Sequence, residues 1–287
     1  MLLLLLFPTP GKAAWKAGLA KVAITPREAI MMAGYGDRTH PSEGVRQPLY
    51  AKALALEDES GRRHVMVSMD LVGLPRNAAD PIAERAAERY GLKREQLLLN
   101  FSHTHSGPVA GYRERTSYRL SDGQEAVVKR YTETLLEQVV ETIGAAIRDL
   151  APASLSFEMG NAGFAVNRRR VQLRNLPQPV DHDVLVIGVR DMSGKLRGVV
   201  FGYACHATVL NDYQINADWP GYAQEEIEKM NPGAMALFLA GCGADQNPLP
   251  RRTVELAITY GKIMSEAVGQ VLLGKMRPLA GKMGAAF

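Results

Sequence analysis

The sequence predicts a single α/β domain, a mixed β-sheet core with helices packed on both faces. Three observations point there. Residues 50–58 with 64–70, and 184–189 with 196–204, are strand-like runs joined at Glu59-Ser60-Gly61 and Met192-Ser193-Gly194, and read as antiparallel hairpins. Elsewhere strands alternate with helical segments, the pattern of βαβ units. No internal repeat or low-complexity linker divides the 287 residues. One domain over 15–287 is therefore expected.

The elements follow in order. Residues 16–24 alternate enough for a first strand, ended by Thr25-Pro26. Residues 27–50 are rich in Gly, Pro and polar residues and read as loop, including Met32-Ala33-Gly34-Tyr35-Gly36. Residues 77–90 form a helix in which Asp80-Pro81 supplies a cap and a first-turn proline, and Gly91 closes it. Residues 96–102 are a short buried strand, apolar on both faces. A long amphipathic helix over 123–150 is stopped by Pro152, and 153–159 form a strand. Asp218-Trp219-Pro220 opens a helix to about Met230, with Asp218 as its cap. Residues 234–240 are another buried strand, and 253–273 the last helix.

Composition narrows the function. With 46% hydrophobic and 22% charged residues, the chain is not disordered. Lys+Arg 34 against Asp+Glu 30 leaves a formal charge of +4, and the longest basic cluster is Arg168-Arg169-Arg170. With 7% aromatics, that argues against a nucleic-acid track. Two cysteines, Cys205 and Cys242, exclude a disulfide scaffold and a four-Cys zinc ribbon. A disulfide between them and two buried thiols both stay open. The apolar run Leu2 to Phe7 falls far short of the ~20 residues a membrane span needs. Residues 1–14 read as an export-signal remnant, or as a mis-assigned start or tail; the first reading implies an exported protein, the others a cytoplasmic one.

The chemistry gathers at strand exits, where α/β proteins assemble sites. In Ser102-His103-Thr104-His105-Ser106-Gly107-Pro108, two histidines stand two residues apart after a buried strand. In extended backbone, residues i and i+2 share a face, so both imidazoles can approach one ion or one substrate atom. His206 follows the 196–204 strand. A lone histidine is more often structural; three at strand exits point to a metal site, and imidazole suits zinc. The loop Gly241-Cys242-Gly243-Ala244-Asp245-Gln246-Asn247-Pro248 offers amides for an anion nest, or is a tight turn. Asn167-Arg168 could hold a carbonyl or anion, or be solvated. Asp70 reads as ligand, His-orienting residue or cap, and Asp218 as cap or second-layer support. His40, His64 and His182 read as surface or loop residues.

These landmarks, in order AGLAKVAITP, MAGYG, VMVSMD, SHTHSGP, Asn167-Arg168, CHAT, the segment Asp218 to Tyr222, and GCGADQNP, resemble the N-terminal catalytic domain of the neutral/alkaline non-lysosomal ceramidase family. The resemblance implies a zinc hydrolase that cleaves an N-acyl amide of a ceramide-like lipid with activated water. It implies His103 and His206 as zinc ligands, His105 as the proton-transfer or substrate-contacting residue, and Arg168 as a substrate holder. In the mechanism it suggests, Arg168 or the amides near Gly243 steady the oxyanion, and Gln246 stands where the family carries a serine, with Asp245 beside it. That departure keeps open another amide or ester substrate, or a noncatalytic glycan- or lipid-binding domain. The family's other zinc ligands, a Glu and a Tyr, lie beyond Phe287 by this reading, so the chain alone is expected to be poorly active unless Asp70 or Asp245 stands in. The partner is a small-molecule or lipid amide, with no nucleic acid and no membrane anchor.

Overall fold

The computed structural model describes residues 15–111, 118, 120–169 and 178–287. The 1–14 segment and Arg170 of the basic cluster lie outside the described residues. The elements run β1 (Trp15–Ala23), β2 (Gly44–Val45), β3 (Tyr50–Asp58), β4 (Arg63–Met69), α1 (Arg76–Tyr90), a 3-10 turn (Arg94–Gln96), β5 (Leu97–Phe101) and α2 (Asp122–Arg148). They continue with β6 (Ala151–Asn161), β7 (Ala165–Asn167), β8 (Asp183–Asp191), β9 (Leu196–Tyr203), β10 (Gln214–Ile215) and α3 (Asp218–Met230). The last are β11 (Met235–Ala240), β12 (Gln246–Pro248), α4 (Val254–Leu273) and β13 (Arg277–Leu279).

The main sheet has the order β11-β9-β8-β6-β1-β3-β4-β5, with β13 paired to β6. It is mixed, as expected. The hairpins β3–β4 and β8–β9 are antiparallel; β4–β5 and β9–β11 are parallel. Each parallel pair is joined by a crossover helix, α1 or α3. A hairpin, a crossover helix, a parallel strand and a second helix thus occur twice, a repetition of topology that the residues themselves do not display.

Side-chain alternation divides the core into three. Ala51, Ala53, Ala55, Val65, Val67 and Met69 face α1 and α2, among residues such as Ile82, Leu135, Val139 and Ile143. Val184, Val186, Val199, Phe201, Ala236 and Phe238 face α3 and α4, with Trp219, Ile227, Met264 and Val268. The intervening positions Leu54, Leu155, Val189, Val200 and Leu237 meet one another in a third cluster. The sheet is therefore curled, its inner surface packed on itself and its helices flanking the body on both sides. Gly18 of β1 permits the close approach of α2, since a Cβ there would lie 2.0 Å from the Ala146 carbonyl.

The curl brings the sheet's two ends together. Lys52 Nζ of β3 donates to the Ala236 carbonyl at 2.8 Å and to Glu228 at 2.7 Å. Ser68 of β4 donates to the Phe238 carbonyl. Asn100 of β5 donates to the Ala240 carbonyl and accepts from its amide at 3.0 Å. Side chains from three strands thus form a seam along β11, and the strand exits of β5, β9 and β11 become neighbours.

Three local expectations change. α1 starts at Arg76, so Pro81 is inside it rather than at its first turn. Its missing N–H removes only one ladder bond near the helix start, which tertiary packing of Ala78, Ile82 and Ala86 tolerates. β5 is not a covered interior strand: it ends the sheet order, and Leu98 is 50% exposed. α2 begins one residue early because Ser121 and Gln124 form a capping box. Among the described residues, no helix is long and apolar enough to cross a membrane.

Candidate metal centre

His103 leaves β5 with φ +58, an unusual value for a side-chain-bearing residue, and its Nδ1–H donates to the Val72 carbonyl at 2.7 Å. His206 leaves β9; its amide and its Nδ1–H both donate to the Gln246 carbonyl, at 3.0 and 3.1 Å. In each ring the proton on Nδ1 leaves Nε2 with a lone pair, the arrangement that prepares a metal ligand. His105 completes the group, its Nε2 3.3 Å from that of His103. One ligand atom from each of the three rings lies within 4.8 Å of the others. The Nδ1 of His105, buried, has no hydrogen-bond partner among the described residues. Burial first, then the neighbouring charges, lowers His105 to about 3, and burial also lowers His206. Neutral rings with free lone pairs suit a divalent cation, so the donor set fits zinc.

The support around the cluster comes largely from residues the sequence left unassigned. The loop holding Gly34 and Tyr35 packs on His105: a Cβ at Gly34, where φ is +96, would meet the imidazole at 2.4 Å, and the Tyr35 ring stands edge-on at 5.0 Å. Buried Arg38 donates to the carbonyls of His105 and Asp212 at 3.0 and 2.9 Å, tying the two histidine-bearing loops together. Trp219 Nε1 donates to the His206 carbonyl at 3.0 Å. The signal for the first of these was in MAGYG, whose glycines mark close backbone approach; Arg38 and Trp219 had no local signal.

The other expected residues divide. Arg168 is exposed at the end of β7 and near enough for its charge to act on His105 and His206. Asp245 accepts from Asn167 Nδ2 at 3.1 Å, and Asp70, buried, accepts from the Tyr50 amide at 2.9 Å. Neither belongs to the metal-binding group found among the described residues. Gln246 is buried with Oε1 accepting from the Asp181 amide at 2.9 Å, and its backbone carbonyl holds His206. The Gly243 amide donates to the Gly241 carbonyl at 2.8 Å and is not free for an oxyanion. Its place is steric: a Cβ would lie 2.5 Å from the Cys205 amide nitrogen. Asp218 does not cap α3. At φ +57 it turns back to accept from the amides of Val209, Leu210 and Trp219, bracing the stretch after His206. Cys205 is buried, Cys242 exposed, and both are free thiols, which closes the disulfide alternative. His40 is exposed and stacks on Tyr213, His182 bonds the Ala165 carbonyl, and His64 is half-buried, away from the cluster.

A cavity of roughly 340 Å³ opens along the seam to the cluster, lined by Val72, Phe101, His103, His206, Cys242 and Ala244 among others.

The family model for the N-terminal domain of neutral/alkaline non-lysosomal ceramidases matches residues 15–244. Similar proteins include neutral ceramidase A of Dictyostelium discoideum, 27% identical over 237 residues, which cover 76% of this chain and 33% of that one. Neutral ceramidase of Drosophila melanogaster is 24% identical over 242 residues, covering 78% and 33%. The chain thus spans about a third of the length of these curated relatives. The crystal structure of neutral ceramidase from Pseudomonas aeruginosa superposes with a TM-score of 0.83 at 21% identity, covering 94% of this chain and 46% of that one, a likeness of fold. With 230 consecutive positions matched and the motif-bearing strand exits inside them, the chain belongs to the neutral/alkaline non-lysosomal ceramidase family.

Proposed function

We propose that the chain is a zinc-dependent hydrolase acting on an N-acyl amide, as in a ceramide-like lipid. The observation that carries this reading is the convergence of three imidazoles, two of them with Nδ1 anchored on backbone carbonyls. His103 and His206 would hold the ion. A bound zinc supplies polarisation of a carbonyl and acidification of water toward neutrality. His105 differs from its neighbours because no carbonyl holds its Nδ1. Unanchored at Nδ1 and beside the two ligand rings, it would relay a proton from water to the leaving amine. Arg168, just after β7 and close enough for its charge to act on His105 and His206, would hold the substrate carbonyl or a charged group beside it. The cavity along the seam, lined by Val72 and Phe101, would give the acyl chain an approach to the cluster.

The experiment is zinc content measured by mass spectrometry on the chain and on four variants, with fatty-acid release from an N-acyl amide as the second readout. One ion per chain is expected, lost in His103→Ala and His206→Ala. His105→Ala should retain zinc and lose turnover by roughly 10²–10⁴-fold, the usual size of a general acid–base contribution. Zinc retained in the double variant His103→Ala/His206→Ala overturns the ligand assignment. Zinc bound with no turnover on any amide or ester favours the noncatalytic binding reading.

A further inference from the structure

Three arginines, Arg168, Arg251 and Arg252, gather near the histidine cluster. Arg252 donates from Nη1 to the Tyr35 hydroxyl at 3.1 Å and lies 5.4 Å from the centre of that ring. The same ring packs edge-on against His105. Arg251 is half-buried and within electrostatic reach of both Arg252 and Arg168, whose charges disfavour its own. Arg168 in turn acts on His105 and His206. The three groups are thus connected to the site by contact through Tyr35 on one side and by proximity on the other.

Like charges gathered at a pocket normally come with carboxylates. Among the described residues, none of these three arginines has an ion pair. The acids that lie closest have other commitments. Asp245 accepts from Asn167. Asp218 is fully buried with its oxygens on three backbone amides, and it reaches Arg251 and Arg252 by charge alone, without a hydrogen bond. Arg252 is also in the left-handed region, at φ +97, with its backbone N–H donating to the Val209 carbonyl at 2.7 Å. The repulsion among the three cations, offset in part by the Asp218 charge, favours a site completed by an anion. Arginine suits this because its planar fork meets a carboxylate, sulfate or phosphate with two parallel hydrogen bonds.

We infer that the site takes an amide whose headgroup carries an anionic carboxylate, sulfate or phosphate, held by Arg251 and Arg252 together with Arg168. This rests on the hydrolase reading above and narrows its substrate class.

The test compares binding of N-lauroylglycine and N-lauroylethanolamine to the metal-free chain by calorimetry. The two share an acyl chain and an amide and differ in a carboxylate against a hydroxyl; inorganic phosphate is the free-anion probe. The carboxylate ligand should bind about tenfold tighter at low salt, with the gap shrinking as salt screens it. Arg251→Gln, which breaks no hydrogen bond seen in the fold, should also shrink the gap, and Arg168→Gln should do the same. Equal binding of the two ligands, no binding of either, a gap unchanged in both variants, or phosphate alone binding as tightly as N-lauroylglycine each overturns the inference. Hydrolysis by the zinc-loaded chain is scored separately. A charge preference with no hydrolysis of either ligand supports the anion site and counts against the hydrolase reading for these two ligands only.

Discussion

Lys52→Met tests whether the seam holds the sheet closed. The Lys52 ammonium is almost fully buried, with one hydrogen bond to the Ala236 carbonyl and an ion pair to Glu228 at 2.7 Å. Burial lowers its affinity for protons, and Glu228 counters that. Removing the ammonium leaves the carbonyl without that donor and Glu228 half-neutralised. Breaking one side of a buried pair costs about 3–5 kcal/mol. Glu228 keeps Lys21 at 3.1 Å and the Ala236 amide at 3.1 Å, so the low end applies, about 3 kcal/mol. For a domain of this length that is a fall of about 5 °C in Tm. The assay is urea unfolding of the wild type, Lys52→Met, Glu228→Gln and the double variant. Because the carboxylate is the stranded group, the double variant should be more stable than Lys52→Met alone by about 1 kcal/mol or more. A Lys52→Met protein within about 1 kcal/mol of wild type, or strict additivity in the cycle, refutes the reasoning.

Gly243→Ala and Gly34→Ala should each weaken zinc binding by about tenfold or more, since the new Cβ would strike the Cys205 backbone or the His105 ring; Gly61→Ala, with open space around it, is the control, and calorimetric zinc titration reads all three. Asp218 gives a pH signature. Burial raises its carboxyl to about 6, so the native state holds that proton more tightly than the unfolded chain; the resulting stability is complete below about pH 4 and is lost as pH rises through about 6. The stability advantage of wild type over Asp218→Asn should shrink by about 2 kcal/mol between about pH 4 and pH 7, read from urea midpoints. A thiol reagent should label Cys242 alone in the folded chain and Cys205 only after denaturation, and the label should block zinc binding because Cys242 lines the same cavity as His103 and His206. Equal labelling of both thiols in the native state sinks that expectation.

What was legible in the sequence was whatever depends on near neighbours. The turns at Ser60-Gly61 and Ser193-Gly194 place both hairpins, and Gly91 ends α1 at φ +66 because a glycine accepts that conformation readily. The i, i+2 spacing of His103 and His105 and the strand exit before His206 identify the candidate site. What escaped depends on which strands end up side by side. β5 and β9 are six places apart in the sheet order, and only the curl joins them. No local pattern announces that Lys52, Ser68 and Asn100 will bond the backbone of β11. The same reason explains Asp218. Its position before Trp219-Pro220 is that of a helix cap, but the demand of the 209–210 amides, brought beside it by the chain's return, takes its carboxylate instead. Gln246 looked like a substitution at a reactive position, whereas the fold uses its carbonyl to set a histidine tautomer.

The seam has a consequence for how the chain behaves among its own copies. β11 lies at an end of the sheet order, where a bare strand would present hydrogen-bonding groups to any passing extended segment. Here the carbonyls of Ala236, Phe238 and Ala240 are occupied by Lys52, Ser68 and Asn100, and the amides of Ala236 and Ala240 by Glu228 and Asn100. An incoming strand would have to displace five bonds and expose a buried ammonium. Side chains from the far end of the same sheet thus act as a built-in guard against strand addition, and a variant that opens the seam should reveal itself first as a tendency to aggregate.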